Sequence, residues 1–502
     1  MAVIDRQILP LTDPTIEVDP MEMEDYESDG DGDTDINASQ PASKGTEDIG
    51  RNMPRVQINT AIISPSELEF FSLKITEFLP TLRIVITDRE GRFGSIDYPK
   101  DGDIVSVYIR PEDINNFKEI RIDFDIRTIR FAPGSGTGND IFTIDCVMKV
   151  PTIFAEDCEA FESDSSFNHL NKVADNLGLG YASNESSTDD SMTRIRPYDT
   201  NIKFIKDITT QAFMNDDSFW TSYIDPYYYL CFVNVNKQFS IIDELDDGVM
   251  AHGVSPNRSV GNEGNDEGKI YTLILTNDEN QKDSNMSIKK FGLMNKSGET
   301  WISNGYKRYV QYYNQDTKEQ IENFIDPLTT DGAEADYIMS KGRADETIYK
   351  DQVKYKFLGK QLSGGKNLDG YNVHENYIFA QILNYQNLEE IKKMSLSVEL
   401  EMINFNLYRY QRVPITIYES RETSKILIQN RDGELGEEPG DPNLEEENET
   451  NVGGSQIKNE FLSGFYVIDE IEYIYKGIGS VITQKLNCLR REWPIPNEHQ
   501  NY

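Results

Sequence analysis

The sequence predicts an α+β chain that is mainly β. It places a first β-domain, a small barrel or sandwich, ahead of an α/β insert, a strand-rich mixed region with an insertion, and a second β-domain. Three observations predict this. Residues 54–150 are an almost helix-free run of β-branched and aromatic segments, only three clear helical patterns occur in the 502 residues, and the C-terminal part ends in an alternating hairpin.

In the first domain the segments VQINTAII, LEFFSLKITEF, LRIVIT, DIVSVYIR, EIRIDFDIRTIRF and DIFTIDCVMKV are separated by the turn clusters DREGR, PKDGD and PGSGTGND. Two short amphipathic helices follow. The first has Ser165 or Ser166 as N-cap, a face of Phe167, Leu170, Val173 and Leu177, and Gly178 as its stop. The second starts near Thr200 and aligns Ile202, Ile205, Ile208 and Ala212. Between them LGLGYASNESSTDDSM reads as a polar loop, and DDSFWTSYIDPYYYLCFVNVN returns the chain to strand.

Residues 228–310 continue as the strand-like YYLCFVNVN, FSIID, KIYTLILT and MSIKKFGLMN, whereas 314–372 are mixed and polar and carry no assignment. A third helix places Ile378, Ile382, Tyr385, Leu388 and Ile391 along one side, with Lys392 and Lys393 suited to its C-terminus. The strands LSVELEMINF, VPITIYES, FLSGFYVIDEIEYIYKG and SVITQKLNCL then form the second β-domain, with KGIGS as a hairpin turn. The expected boundaries are 1–53 disordered acidic tail, 54–150 first β-domain, 151–228 α/β helical insert and 229–373 mixed region with insertion. A helix plus the second β-domain fill 374–493, carrying an acidic loop at 420–460, and 494–502 form a tail.

The net charge of −38 is concentrated: residues 1–50 hold 14 Asp and Glu against 2 Lys and Arg, and 420–460 hold 11 against 4, together half of the excess. Both stretches are poor in aromatics and cannot bury enough surface to offset their ordering entropy, so disorder and a long loop are expected. The negative surface argues against sequence-specific DNA binding and against anionic membranes. No apolar run approaches the roughly 20 residues of a membrane span. MAVIDRQILPLTDP lacks a basic start and an apolar core, so no secretory signal is expected. The scattered Cys146, Cys158, Cys231 and Cys488 fit free thiols in a reducing compartment.

No catalytic, cofactor-binding or metal-ligating residue emerges. His169, His252, His374 and His499 have no short metal-ligand spacing and read as structural. Asp29, Asp31 and Asp33 imitate the start of a calcium loop, but Thr34 and Gln40 stand where Gly and a bidentate Glu are required. GSGTG at 134–138 precedes a strand instead of the helix a phosphate cradle needs. The sequons at Asn184, Asn257 and Asn285 carry no information without secretion. The aromatic cluster Phe219, Trp220, Tyr223, Tyr227, Tyr228 and Tyr229 reads as core packing, with a ligand cleft or protein interface as the alternative.

The order of these elements resembles the baseplate central hub protein of contractile-tailed bacteriophages. The likeness rests on FFSLKITEFLPTLRIVITDREG, YPKDGDIVSVYI, SSFNHLNKVADNLGLGY, FIKDITTQAFMNDDSFW and FYVIDEIEYIY, and spans about 54–493. It implies two tube-type β-barrel domains per chain, the second formed between 395 and 491 with the strands before 310 as candidates to join it. It further implies a non-enzymatic homotrimer presenting a pseudo-six-fold ring. One face would meet the six-fold tail tube protein and the other the trimeric central spike protein, with other baseplate proteins around it. The location implied is the virion tail baseplate, assembled in the bacterial host cytoplasm, with DNA passing through an acidic lumen without sequence-specific binding. No cofactor is implied, and the acidic tail and the 420–460 loop extend beyond the family pattern. A tail-associated cell-wall or polysaccharide hydrolase and a receptor-binding adhesin are the competing readings. No repeat of fixed period is seen.

Overall fold

The computed structural model describes residues 54–240, 272–276, 286–296, 307–325, 353–361, 374–420 and 456–490, with short gaps inside these spans. The acidic stretch 1–53, most of 420–460, the GSGTG tip, the 29–40 segment, His252, His499, Asn257 and Asn285 lie outside the described residues.

The chain is mainly β. Its first unit contains β1 (Arg55–Ile58), β2 (Ala61–Ile62), β3 (Leu68–Ile75), β4 (Thr81–Asp88), β5 (Ile104–Ile109), β6 (Ile120–Ala132) and β7 (Asp140–Met148). Alternation sets the faces: in β5, Val105, Val107 and Ile109 are buried while the residues between them are half-exposed. The ladder runs β2-β1-β5-β6-β7-β4-β3, and among the described residues no ladder joins β1 back to β3.

The insert follows as β8 (Glu156–Asp164), α1 (Ser166–Asn176), β9 (Gly180–Ser183), β10 (Met192–Thr200), α2 (Asn201–Gln211), β11 (Trp220–Ile224), β12 (Tyr229–Asn234) and α3 (Val235–Ser240). Ser165 and Thr200 are the N-caps, their hydroxyls accepting from the Asn168 and Lys203 amides. Gly178 turns the chain out of α1 at φ +69. β10 pairs with β8, while β11, β12 and β9 form a three-stranded sheet beneath the helices.

Three local expectations are corrected here. The segment expected to be a polar loop contains β9, and its Asn184, Thr188 and Asp190 are buried because they bond backbone groups of neighbouring elements. Residues 235–240 are helical instead of strand: Val235 and Phe239, one turn apart, are both buried, and the Asn234 side chain accepts from the Lys237 amide. The third expected helix forms as described below, but Tyr385 of its expected face is exposed.

The second unit gathers distant segments. β13 (Leu273–Leu275) and β14 (Met286–Asn295) precede a separate sheet of β15 (Lys307–Asn314), β16 (Glu319–Ile325) and β17 (Val353–Gln361). After α4 (Tyr377–Ile391) come β18 (Met394–Leu400), β19 (Arg412–Ser420), β20 (Gln456–Lys458), β21 (Gly464–Tyr475) and β22 (Thr483–Leu489). On α4, Ala380, Leu383, Asn384 and Ile391 are buried and Leu388 packs half-buried on the core, so Leu388 and Ile391 of the expected face turn inward while Tyr385, 52% exposed, does not. The Ile378 and Ile382 side chains lie outside the described residues. Asn384 anchors the helix. Its side chain accepts from the Trp220 amide and donates to the carbonyls of Thr209, Thr210 and Ala212, and so fixes the helix against α2 and β11. Pairing in the order β21-β22-β18-β14-β13-β19 and back to β21 closes a six-stranded barrel.

The two units share one strand order. β1-β5-β6-β7-β4-β3 corresponds to β13-β19-β21-β22-β18-β14, the β13–β19 pair being parallel where β1–β5 is antiparallel. Registers match residue by residue: the cross-strand row Ile126, Cys146, Leu82, Leu73 corresponds to Ile468, Cys488, Leu396, Leu293. Bulges fall at equivalent places, between Ile126 and Thr128 and between Ile468 and Glu470. A further pairing, β3 with β21, fuses the units edge to edge.

Candidate functional site: the fused edge and its buried ionic junction

Two strands of the same character meet at the fused edge. β3 and β21 pair antiparallel from Phe71↔Tyr475 to Ile75↔Ile471. The Lys74 ammonium lies 3.3 Å from Glu472, which also accepts from the Ser72 hydroxyl at 2.7 Å. β21 reaches this position because it is long. Its first half pairs with β19, and beyond the bulge its second half offers the same edge to β3.

Beside this seam the chain buries a charged group among aromatics. Arg409, 5% exposed, donates to the Glu77 carbonyl at 2.8 Å, to the Asp469 carbonyl, and to Asp469 Oδ1 at 3.4 Å. Its guanidinium lies 5.1 and 5.0 Å from the ring centroids of Tyr223 and Tyr410. The Tyr223 hydroxyl donates to the Arg409 carbonyl at 2.8 Å, the Tyr410 hydroxyl donates to Asp469 Oδ1 at 3.1 Å, and Lys392 Nζ stands 3.1 Å from Asp469 Oδ2. Burial alone would raise the Asp469 carboxyl. The Lys392 and Arg409 charges, with hydrogen bonds from Lys392 and Tyr410, outweigh it and hold the carboxyl below the usual range. First unit, insert and second unit are thus tied at one guanidinium, whose planar fork can serve several acceptors at once, and Lys392, just past α4, joins them through Asp469. The arrangement positions the segments that meet at it.

The aromatic cluster belongs to the same junction. Phe219, Trp220, Tyr223, Tyr227, Tyr228 and Tyr229 are all buried, so core packing is the reading that holds. Trp220 stacks on Phe232 with centroids 4.4 Å apart. The Tyr228 hydroxyl accepts from the Asp123 amide at 3.0 Å, and the Ile224 amide donates to the Phe78 carbonyl at 2.8 Å, docking the insert on the first unit.

The other candidates are dispersed. His169 is buried, with Nε2 donating to the Glu162 carbonyl at 2.9 Å, and burial lowers its basicity. His374 bonds the Gln211 carbonyl at 3.2 Å and stacks on Phe213. Cys146 and Cys488 are buried at equivalent positions, the first thiol pushed up to about 12 by burial and the second higher still. Cys231 is buried and Cys158 exposed. Asn184 exchanges hydrogen bonds with the Asn234 backbone, which removes its amide from solvent. Among the described residues no group of three or more His, Cys, Asp or Glu is placed to hold a metal ion, and no helix is long and apolar enough to cross a membrane. Sequence reasoning missed Arg409 and Asp469 and read Lys392 only as suited to the C-terminus of the third helix. The available signal was a charge where apolar alternation should run, in YRY at 408–410 and VIDE at 467–470.

These features define a mainly β protein in which two units of one strand order are fused by their edges and clamped by a helical insert. No family model and no curated protein matches the chain. Among solved structures it is similar to the tail protein from Neisseria meningitidis MC58, at 8% identity and TM-score 0.45 over 88% of this chain and 97% of that one. It is also similar to the 43 kDa tail protein of prophage MuSo2 from Shewanella oneidensis, at 9% identity and TM-score 0.44 over 88% and 99%. A third similarity is to the E. coli c3393 protein, described as a component of the type VI secretion system, at 6% identity and TM-score 0.38 over 88% and 79%.

Proposed function

We propose that this protein is a non-enzymatic structural component of a phage-type tail, a baseplate hub in which three copies form a ring of six barrel units. One observation carries the reading: a single chain holds two units of the same strand order, fused through β3 and β21. Two matched units per chain reconcile a three-fold with a six-fold partner, because three chains present six similar units on one face and three distinct inserts around them. In this reading 54–150 is the first ring barrel and the strands from 395 to 491, with β13 and β14, form the second. One axial face meets the tail tube protein, the other the central spike protein, and an acidic lumen repels passing DNA.

The test is electron-microscope class averaging of the purified chain, alone and with its co-encoded spike protein. A three-fold ring with six lobes and an open centre is expected. A monomer in both samples would remove the reading and bring the hydrolase and adhesin alternatives forward.

A further inference from the structure

The fused edge within the chain uses one strand from each unit, and each of those strands has a counterpart in the other unit. By strand order and register, β3 corresponds to β14 and β21 to β6. The row Ile129, Ile144, Ile84, Phe71 fixes the match, since it corresponds to Ile471, Leu486, Val398, Phe291. Among the described residues neither counterpart has a strand paired along that edge. β6 pairs with β5 only through Asp125, and beyond its bulge no ladder among the described residues occupies that edge. β14 pairs with β13 only at Met286 and Ser287, and no described ladder covers the same edge from Lys290 to Met294.

Burial repeats the pattern from the other side. Phe71 and Leu73, covered within the chain, are 0% exposed, whereas their counterparts Phe291 and Leu293 are 39% and 40% exposed. Tyr473 is 2% exposed and its counterpart Phe131 is 50% exposed. Large apolar side chains on two unpaired strand edges are what monomers avoid, and here they sit at the positions the internal seam protects.

We infer that the open edge of β14 in one copy pairs with the open distal half of β6 in a second copy, repeating the internal β3–β21 seam between chains. This rests on the ring reading above and names its contact. Transferring the internal register sets Arg130 opposite Met294, Phe131 opposite Leu293 and Ala132 opposite Gly292. The two exposed apolar side chains thus meet. The internal Lys74–Glu472 pair has no charged equivalent, because Met294 replaces the lysine and Arg130 is held on Asp145 at 3.1 Å. The contact is heterologous: each copy gives β6 to one neighbour and β14 to the other, so the interaction closes into a ring or continues as a filament.

The test uses the full chain with exposed Cys158 replaced by Ser. Phe131→Cys and Leu293→Cys are introduced in separate chains, mixed, and oxidised or bridged with a short bis-thiol reagent. Opposed residues of antiparallel strands lie about 4.5–5.5 Å apart at Cα, within disulfide reach. The mixture should cross-link to a dimer while neither single variant does so alone, and the chain with both cysteines should give a covalent series ending at three. In a second measurement, Phe131→Glu and Leu293→Glu should each weaken assembly at least tenfold by mass photometry with circular dichroism unchanged. Trimers that never cross-link would overturn this contact and leave the ring reading standing. Cross-linked chains growing past three would keep the contact and remove the ring. Either single variant cross-linking with itself, or a chain that stays monomeric at all concentrations, would overturn the contact.

Discussion

Replacing Arg409 by Met tests whether one guanidinium ties the units together. Met preserves much of the stem volume but leaves the Glu77 carbonyl without its donor and Asp469 with only Lys392 and Tyr410. Removing one partner of a buried ion pair costs about 3–5 kcal/mol. The surviving lysine moves the expectation toward the lower end, and the orphaned carbonyl restores about 1–3 kcal/mol of it. A loss of about 4 kcal/mol is therefore expected. Such a loss is comparable with the whole stability of many domains. Urea unfolding followed by circular dichroism and by tryptophan fluorescence, to which buried Trp220 contributes, measures it. Arg409→Lys should recover little, because an ammonium cannot span the Glu77 carbonyl and Asp469 with a planar fork. A Met variant within about 1 kcal/mol of the parent would refute the junction as a source of cohesion.

Three further outcomes are expected. In the native protein an aromatic disulfide reagent should titrate Cys158 rapidly, with Cys146, Cys231 and Cys488 reacting only on unfolding; a second fast thiol would contradict their burial. Because burial lowers the His169 pKa, the unfolded chain takes up a proton first as pH falls below about 6.5, and stability should decline there. His169→Gln should reduce that slope without abolishing it, since burial also lowers the His374 pKa, and an unchanged slope would count against the assignment. Gly180→Ala would place a methyl 2.5 Å from the Tyr229 ring, where the strands β9 and β12 pair. Overpacking of this kind costs about 1–3 kcal/mol, read as a lower urea midpoint.

The strands of the first unit were legible because each alternates or runs apolar between strong turn signals, α1 because cap, stripe and stop agree, and α2 because its start and stripe do. β8 and β10 were missed for a physical reason. The ribbon they form is largely exposed, so EDCEAFESD needs no apolar face, while Arg194 and Arg196 turn inward to acceptors a sequence does not reveal. On α4 the buried Asn384 went unread because a polar residue gives no apolar signal. The duplication was expected only through the family resemblance and not from any repeat in the residues, because it survives as hydrogen-bond register, not as spacing. The connection replacing the β3–β4 turn in the second unit contains a whole sheet and a helix, so no constant period remains. The aromatic run after Phe219 was correctly placed in the core, while the ionic junction it packs against joins side chains far apart in sequence.

The seam between β3 and β21 also sets a timetable for synthesis. Ser72 and Glu472, bonded across it, are separated by 400 residues of chain. At about 5–20 residues per second, the edge of β3 leaves the ribosome roughly 20–80 seconds before the strand that covers it exists. Throughout that interval Phe71 and Leu73 border an uncapped edge, with Lys74 beside them as a charged deterrent to wrong partners. The first unit must therefore persist as a half-finished template in a crowded cell, and nascent chains on neighbouring ribosomes compete for the place that β21 eventually takes.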